Sequence, residues 1–313
     1  MTLNATSKKL AGRAITALPV FVLTGLLAGP ALADCSAIDK DIRAGLAAGN
    51  VETYEALNTA MLAEPSCTGD YRERVGRVLA LSSLKALQGK LGLDPANYPA
   101  GQVAAAARYG RPWQVMLALG DAYYAAKDFD HAVPALEEAI DDIRNERLNP
   151  KPPGKDVEVR LFKRAYQARA LARGYVKFNE VEGKPSGLAN RTFRSFEVEA
   201  VPVPVRFNYK EATLTPEGTA AAADILAYLN SAYVKKIRII GHTDPVGGDA
   251  YNVNLSKARA KAIKEYLVSY GYQGAVEIAG KGEKQPFEPD DASKYSDDEL
   301  HAFDRRVEYQ VLE

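Results

Sequence analysis

The sequence predicts an α+β chain in two parts, an all-α, repeat-like N-terminal module and a C-terminal α/β domain. Three observations carry this. From Asp34 to about Phe178, alanine, leucine and charged residues recur at helical spacing, with few β-rich stretches. Around Lys235–His242 and Val307–Val311, β-branched and aromatic residues take over. Between these regions, residues 179–195 contain glycine, proline and serine and read as a linker. At 313 residues, less an N-terminal segment, two domains are about what the length allows.

Residues 1–33 read as a secretory signal peptide. Lys8, Lys9 and Arg13 precede an apolar run from Ala14 to Ala28, and Ala31-Leu32-Ala33 offers a small-x-small cleavage site. Asp34 stands where a lipobox would need a small residue before Cys35, so lipidation is not expected. Pro19, Gly25, Gly29 and Pro30 interrupt the run, which is short for a bilayer span; the sequence leaves cleavage or retention as an anchor open. No transmembrane span is expected once the signal is removed, and the alternating ten-residue runs of a membrane β-barrel are absent. Cys35 and Cys67 are the only two cysteines, and in an oxidising compartment they are expected to pair. Closing that loop would restrict the unfolded chain by roughly 3–4 kcal/mol. Charge balances at 40 basic and 40 acidic residues with no long basic run, which argues against a nucleic-acid partner.

The helical module is assigned to residues 34–178. Ile38–Leu62 reads as a helix pair broken near Gly49-Asn50, and Tyr71–Leu91 as another helix. Met116–Ala139 resembles a tetratricopeptide repeat, with Leu119, Gly120, Tyr123, Ala132, Leu136 and Ala139 at the signature offsets. Gly120 and Ala132 would let two helices approach closely. Met116 stands where tryptophan is usual, the closing proline is missing, and Pro134 is expected to be tolerable only in a helix's first turn. One repeat cannot bury its own faces, so degenerate neighbours or capping helices must flank it, with Arg160–Tyr175 as one. The module is an interaction surface or a spacer; the sequence leaves both open. Asn149–Gly154 is a loop.

In the C-terminal domain, Lys235–His242 is a buried strand ended by Gly241, and Pro245, Gly247 and Gly248 mark an irregular loop. A helix follows from about Asn254 to Tyr270, stopped by Gly271. Leu255, Ala258, Ala262, Ile263, Tyr266, Leu267 and Tyr270 form its apolar stripe, and Arg259 lies within that stripe. A guanidinium there needs an anionic partner. Either Asp244 or Asp249 pairs with it structurally, or Arg259 and Asp244 both face a cleft and hold a zwitterion. Upstream, Val205–Leu214 reads as strand and turn, and Thr215-Pro216 as an N-cap followed by proline at N1, opening a helix with Ala222, Ile225, Leu226 and Leu229 inward. Val307, Tyr309 and Val311 alternate with Glu308 and Gln310 as a half-buried strand.

Other chemistries find little support. His242, Asp244 and Ser256 lack a nucleophile elbow, and His131, His242 and His301 have no metal-ligand spacing. His242 closes a strand and reads as a structural donor. The acidic stretches Glu288–Ala292 and Ser296–Glu299 read as a solvated loop.

Ile240-Gly-His-Thr-Asp244, Leu255-Ser-Lys-Ala-Arg259 and Asp304-Arg-Arg-Val-Glu308 together resemble the OmpA-like peptidoglycan-binding domain, the family of the peptidoglycan-associated lipoproteins and the wall-binding part of the MotB stator. The resemblance implies a sandwich over 196–313, a mixed sheet with helices on one face. It implies that Asp244 and Arg259 hold the amino-acid head of meso-diaminopimelate in the stem peptide. Thr243, beside Asp244 in the turn, and Asn208 would be further binding residues, Asn252 a polar contact, Leu255 a wall, Arg306 a pocket contact, and Arg305 a wall or surface contact. Asn208 stands where the family favours aspartate and Asp304 where it expects asparagine; Asp304 could neutralise one of the arginines. No acid lies between Ala14 and Ala33, so the proton-carrying helix of a MotB-type stator is missing. The expected function is non-catalytic anchoring to peptidoglycan from the periplasm or outer membrane, with no metal or cofactor, the helical module recruiting or positioning a protein partner. The alternative is an adaptor or assembly protein with a weakened pocket.

Overall fold

A computed structural model describes residues 35–289 and 291–312. The signal-peptide reading of residues 1–33 lies outside them.

The N-terminal part is helical, with α1 (Cys35–Ala48), α2 (Tyr54–Ala63), α3 (Gly69–Leu91), α4 (Ala100–Ala107), α5 (Trp113–Ala125), α6 (Phe129–Arg144) and α7 (Lys155–Leu171). The break between α1 and α2 falls at Gly49, whose φ of 64° is left-handed. Cys35 and Cys67 form a disulfide with Cα atoms 4.9 Å apart, over a small apolar cluster of Ile38, Ile42 and Met61. In the repeat-like pair, a Cβ on Gly120 would meet Leu136 at 2.5 Å, so α5 and α6 pack as closely as the small residues imply. Pro134 sits inside α6 beyond its first turn, contrary to expectation. The helix continues because Val133, Ala135 and Leu136 are buried on either side, and that burial offsets a proline cost of about 3 kcal/mol.

Residues 179–195 are not a free linker. They hold a short hairpin, β1 (Glu180–Val181) with β2 (Lys184–Pro185), and Leu188, Ala189 and Phe193 are buried. Glu137, Asp141 and Arg144, on one face of α6, strap this segment down. Glu137 accepts from Asn179 N–H at 2.8 Å and Asp141 from Gly187 N–H at 2.8 Å, while Arg144 donates to the Gly187 carbonyl at 2.8 Å and the Thr192 carbonyl at 2.8 Å. One apolar core accordingly runs through both halves.

The C-terminal part is built from β3 (Ala200–Val203), α8 (Pro216–Ser231), β4 (Lys236–His242), α9 (Asp249–Ser269), β5 (Ala275–Gly282), α10 (Asp297–Asp304) and β6 (Val307–Val311). The sheet order is β3-β6-β4-β5, with β4 and β5 parallel and the other pairs antiparallel. This is the mixed sheet expected. Val201, Tyr309, Ile239 and Ile278 form one cross-strand row under α8 and α9, whereas Arg238, Glu277 and Gln310 line the opposite, polar face. Val307 and Tyr309 are buried as the alternation requires. Thr215 caps α8 by accepting from Gly218 N–H at 3.1 Å.

Several details differ from the sequence reading. The opening strand is β3, upstream of Val205–Leu214, which instead folds as a loop closed by a bridge between Phe207 and Leu214. Pro202 is tolerated because β3 is an edge strand paired only with β6. The helix α9 begins at Asp249, with Gly248 as its N-cap. Its buried face is Asn252, Ser256, Ala260, Ile263 and Leu267, rotated away from the stripe through Leu255 and Ala258. Gly241 and Gly280 explain the rotation: a Cβ on Gly280 would meet Lys257 N at 2.6 Å, so only small residues fit beneath α9 there. Ser296 and Glu299 form a capping box that starts α10, so Ser296–Glu299 is a helix N-terminus and not a loop.

Candidate functional site

The loop after β4 presents Asp244. One of its oxygens accepts from Val246 N–H at 3.2 Å within the turn, and the other pairs with Arg305 at 2.8 Å. Arg259 projects from α9 on the flank of its buried face. Its Nε donates to the Glu211 carbonyl at 3.1 Å, and its guanidinium lies 5.0 Å from the Phe207 ring centroid. Among the described residues Arg259 makes no ion pair. The structural pairing weighed above is therefore not formed, since Asp249 pairs with Lys284 at 3.2 Å. Burial pushes the Arg259 guanidinium below its ordinary value, and the nearby Asp244 charge opposes that shift.

Arg259 and Arg305 line a cavity of about 340 Å³ whose walls include Val205, Arg206, Phe207 and, from α7, Ala170. Asp244 adjoins it through Arg305. The other predicted positions fall elsewhere. Asn252 is buried; its amide donates to Glu283 at 2.5 Å and to the Asp244 carbonyl at 3.3 Å, so it braces the loop from behind. Thr243 is buried, with its N–H on the Gly282 carbonyl at 3.0 Å. Leu255 is half-buried outside that cavity's wall. Asn208 is exposed and holds its own turn, its N–H bonding the Thr213 carbonyl at 2.9 Å.

The two adjacent arginines exchange roles. Arg306 is buried against Glu308 at 2.7 Å and donates to the Gln285 carbonyl at 3.1 Å, whereas Arg305 faces the cavity. Burial acts to raise Glu308, but bonding and charge from His242 and Arg306 outweigh it and hold the carboxyl below its ordinary value. Asp304 neutralises neither arginine by direct contact. It accepts from Phe287 N–H at 2.7 Å, and burial pushes its carboxyl up. His242 lies 3.4 Å from Glu308 under the same loop. Arg206 and Phe207 were not singled out from sequence; the alternation of Val205 and Phe207 ahead of the capped helix was the available signal.

Residues 206–296 match the OmpA family and form an OmpA family domain. Outer membrane protein A of Escherichia fergusonii is 35% identical over 114 residues, covering 34% of this chain and 47% of that protein. The chain thus spans about half the length of that relative, and less of others: outer membrane protein A of Shimwellia blattae is 39% identical over 85 residues, 35% of its length and 26% of this chain. Among solved structures, the OmpA-like domain of FopA1 from Francisella tularensis aligns at 18% identity with a TM-score of 0.31, covering 44% of this chain and 88% of its own.

Proposed function

We propose that this protein binds peptidoglycan without covalent chemistry, holding the free amino-acid head of meso-diaminopimelate at the Asp244–Arg259 site. The observation that carries the reading is Arg259 itself. A half-buried guanidinium with no carboxylate partner, over the Phe207 ring and beside the Asp244 charge, leaves its fork free for a ligand carboxylate. Asp244 would accept the ligand ammonium, displacing Arg305, which would then be free to turn toward the carboxylate. Charge recognition of this kind involves no nucleophile and no proton transfer. The reading places the protein in the periplasm, at the wall or the outer membrane.

In the same reading the helical module positions a protein partner. Its support is a cavity of about 730 Å³ lined by Leu93, Trp113, Leu117, Arg160 and Arg164 and closed by Tyr295 of the wall-binding half. Leu93 is 81% exposed at its rim. A photo-crosslinker at Leu93 should give a discrete adduct that Arg160→Glu removes; an unchanged adduct counts against this part.

The second reading, an adaptor with a weakened pocket, draws on the 2.8 Å pair that already occupies Asp244. A pull-down of the mature protein with diaminopimelate-type peptidoglycan, beside Arg259→Ala, separates the two. Binding that the variant loses supports the anchor; no binding by either protein leaves the adaptor.

A further inference from the structure

We propose that the helical module forms part of the ligand pocket itself: the end of α7 aims Arg206 at a second carboxylate on the ligand that Asp244 and Arg259 hold. The proposal rests on the wall-binding reading and extends it to the substrate class, a diaminopimelate residue with a further carboxylate beside its free head.

Three arginines, Arg206, Arg259 and Arg305, line the cavity of about 340 Å³, and no acidic residue belongs to its wall. Only Arg305 is paired, with Asp244 just outside. Arg206 donates to the Arg173 carbonyl at 2.7 Å and to the Ala172 carbonyl, Ala172 being the C-cap of α7 and Arg173 the residue after it. A cation at a helix C-terminus is favourable, so a purely structural account explains those two bonds. It does not explain why this arginine lines a cavity with Arg259, since two of its five N–H donors suffice for those bonds. Glu217, at the start of α8, feels the Arg206 charge but forms no ion pair with it. Two half-buried cations without a carboxylate partner in one cavity suit two anionic groups rather than one.

Ala170 of α7 walls the cavity opposite the OmpA family domain, so the module whose partner is unassigned also shapes this pocket. Arg206 is fixed from the α7 side, and its reach depends on the two halves remaining docked. The second carboxylate has two chemical sources: the far end of diaminopimelate, free where the stem stops at that residue, or the neighbouring acidic residue of the stem.

Calorimetric binding of soluble probes to the mature protein tests the proposal. D-Lysine carries the head without a second carboxylate. Meso-diaminopimelate adds one at the far end, and γ-D-glutamyl-meso-diaminopimelate with that end amidated supplies only the neighbour's. At least one of the latter two should bind about tenfold tighter than D-lysine, the value of one charge-assisted contact, and the tighter one identifies the source. Arg206→Gln should erase that preference and leave D-lysine binding within about twofold. Arg206→Lys, which keeps the charge, should retain most of it. Equal loss in both variants would make Arg206 only a brace for α7 and overturn the proposal, as would a preference that survives Arg206→Gln. If wild type binds D-lysine as tightly as the other probes, and Arg259→Ala abolishes all binding, this inference fails while the wall-binding reading stands. If wild type binds none of the probes, both fail.

Discussion

Asp244, Arg259 and Arg306 sit within one small region yet should respond differently to truncation, because each charge has a different neighbour. Asp244→Ala and Arg259→Ala should each cost about 2–5 kcal/mol of wall binding, since a desolvated partner charge is stranded in the complex. Melting temperatures should barely move, because neither side chain holds the core. Retained binding in both variants would sink the proposed site. Arg306→Ala should behave in the opposite way, lowering stability by about 3–5 kcal/mol while folded protein still binds, because Glu308 loses its 2.7 Å partner under the loop. Glu308 also sets a pH dependence. Its folded-state value lies below its unfolded one, so its contribution is complete above the ordinary value of 4.5 and disappears as pH falls through the lowered folded value. Acid unfolding of Glu308→Gln should therefore differ from wild type above the ordinary value of 4.5 and converge with it as pH falls through the lowered folded value. Parallel curves throughout that window would contradict the assignment.

Alternation decides the exchange between Arg305 and Arg306. Val307 and Tyr309 face α8, so Arg306 and Glu308 share the opposite face and meet there. That parity was legible in Val307-x-Tyr309-x-Val311, and extending it one residue upstream would have placed Arg306 beside Glu308 on the face away from α8. The strands β4 and β6, the Thr215 cap and the left-handed Gly271 stop were also readable, because each rests on local chemistry. The rotation of α9 was not. It depends on Gly241 and Gly280 lying side by side across two strands, which appears only once the register is known. Asn252 faces inward for the same reason. The disulfide was legible from two cysteines alone, and its effect belongs to the α1–α2 element. Cys35→Ser with Cys67→Ser should cost roughly 3–4 kcal/mol locally, because the cluster of Ile38, Ile42 and Met61 is separate from the main core. Proteolysis should then release α1 and α2 first, with wall binding nearly unchanged. Two reactive thiols in protein purified without reductant would rule the bridge out.

Composition divides the chain at about Phe178, but packing joins it there. Residues 179–195 looked like a linker because glycine, proline and serine are common to linkers and to tight, strapped segments alike. What distinguishes them is the complementary face on α6, where Glu137, Asp141 and Arg144 recur one and two turns apart, a pattern without meaning until its partner is known. Beyond this strap, Asp224 of α8 accepts from Tyr175 at 2.6 Å and from Phe178 N–H at 2.8 Å, and Tyr166 of α7 donates to the Phe303 carbonyl at 2.5 Å. At the centre lies the pair of Glu137 and Arg169, both fully buried, with Arg169 Nε 3.1 Å from the carboxylate. We therefore expect α3–α10 to unfold as one unit, and calorimetry of residues 34–313 should give a single main transition whose calorimetric and van't Hoff enthalpies agree. Glu137→Ala leaves a guanidinium buried and unpaired, costing about 3–5 kcal/mol and shifting that transition down by roughly 10 °C. Because the seam also fixes Arg206 at the pocket, the same variant should weaken wall binding as the halves loosen, although Glu137 is far from the ligand in sequence and in role. Two well-separated transitions in wild type, or an isolated 196–313 fragment as stable as the whole, would restore the picture of independent domains on a string.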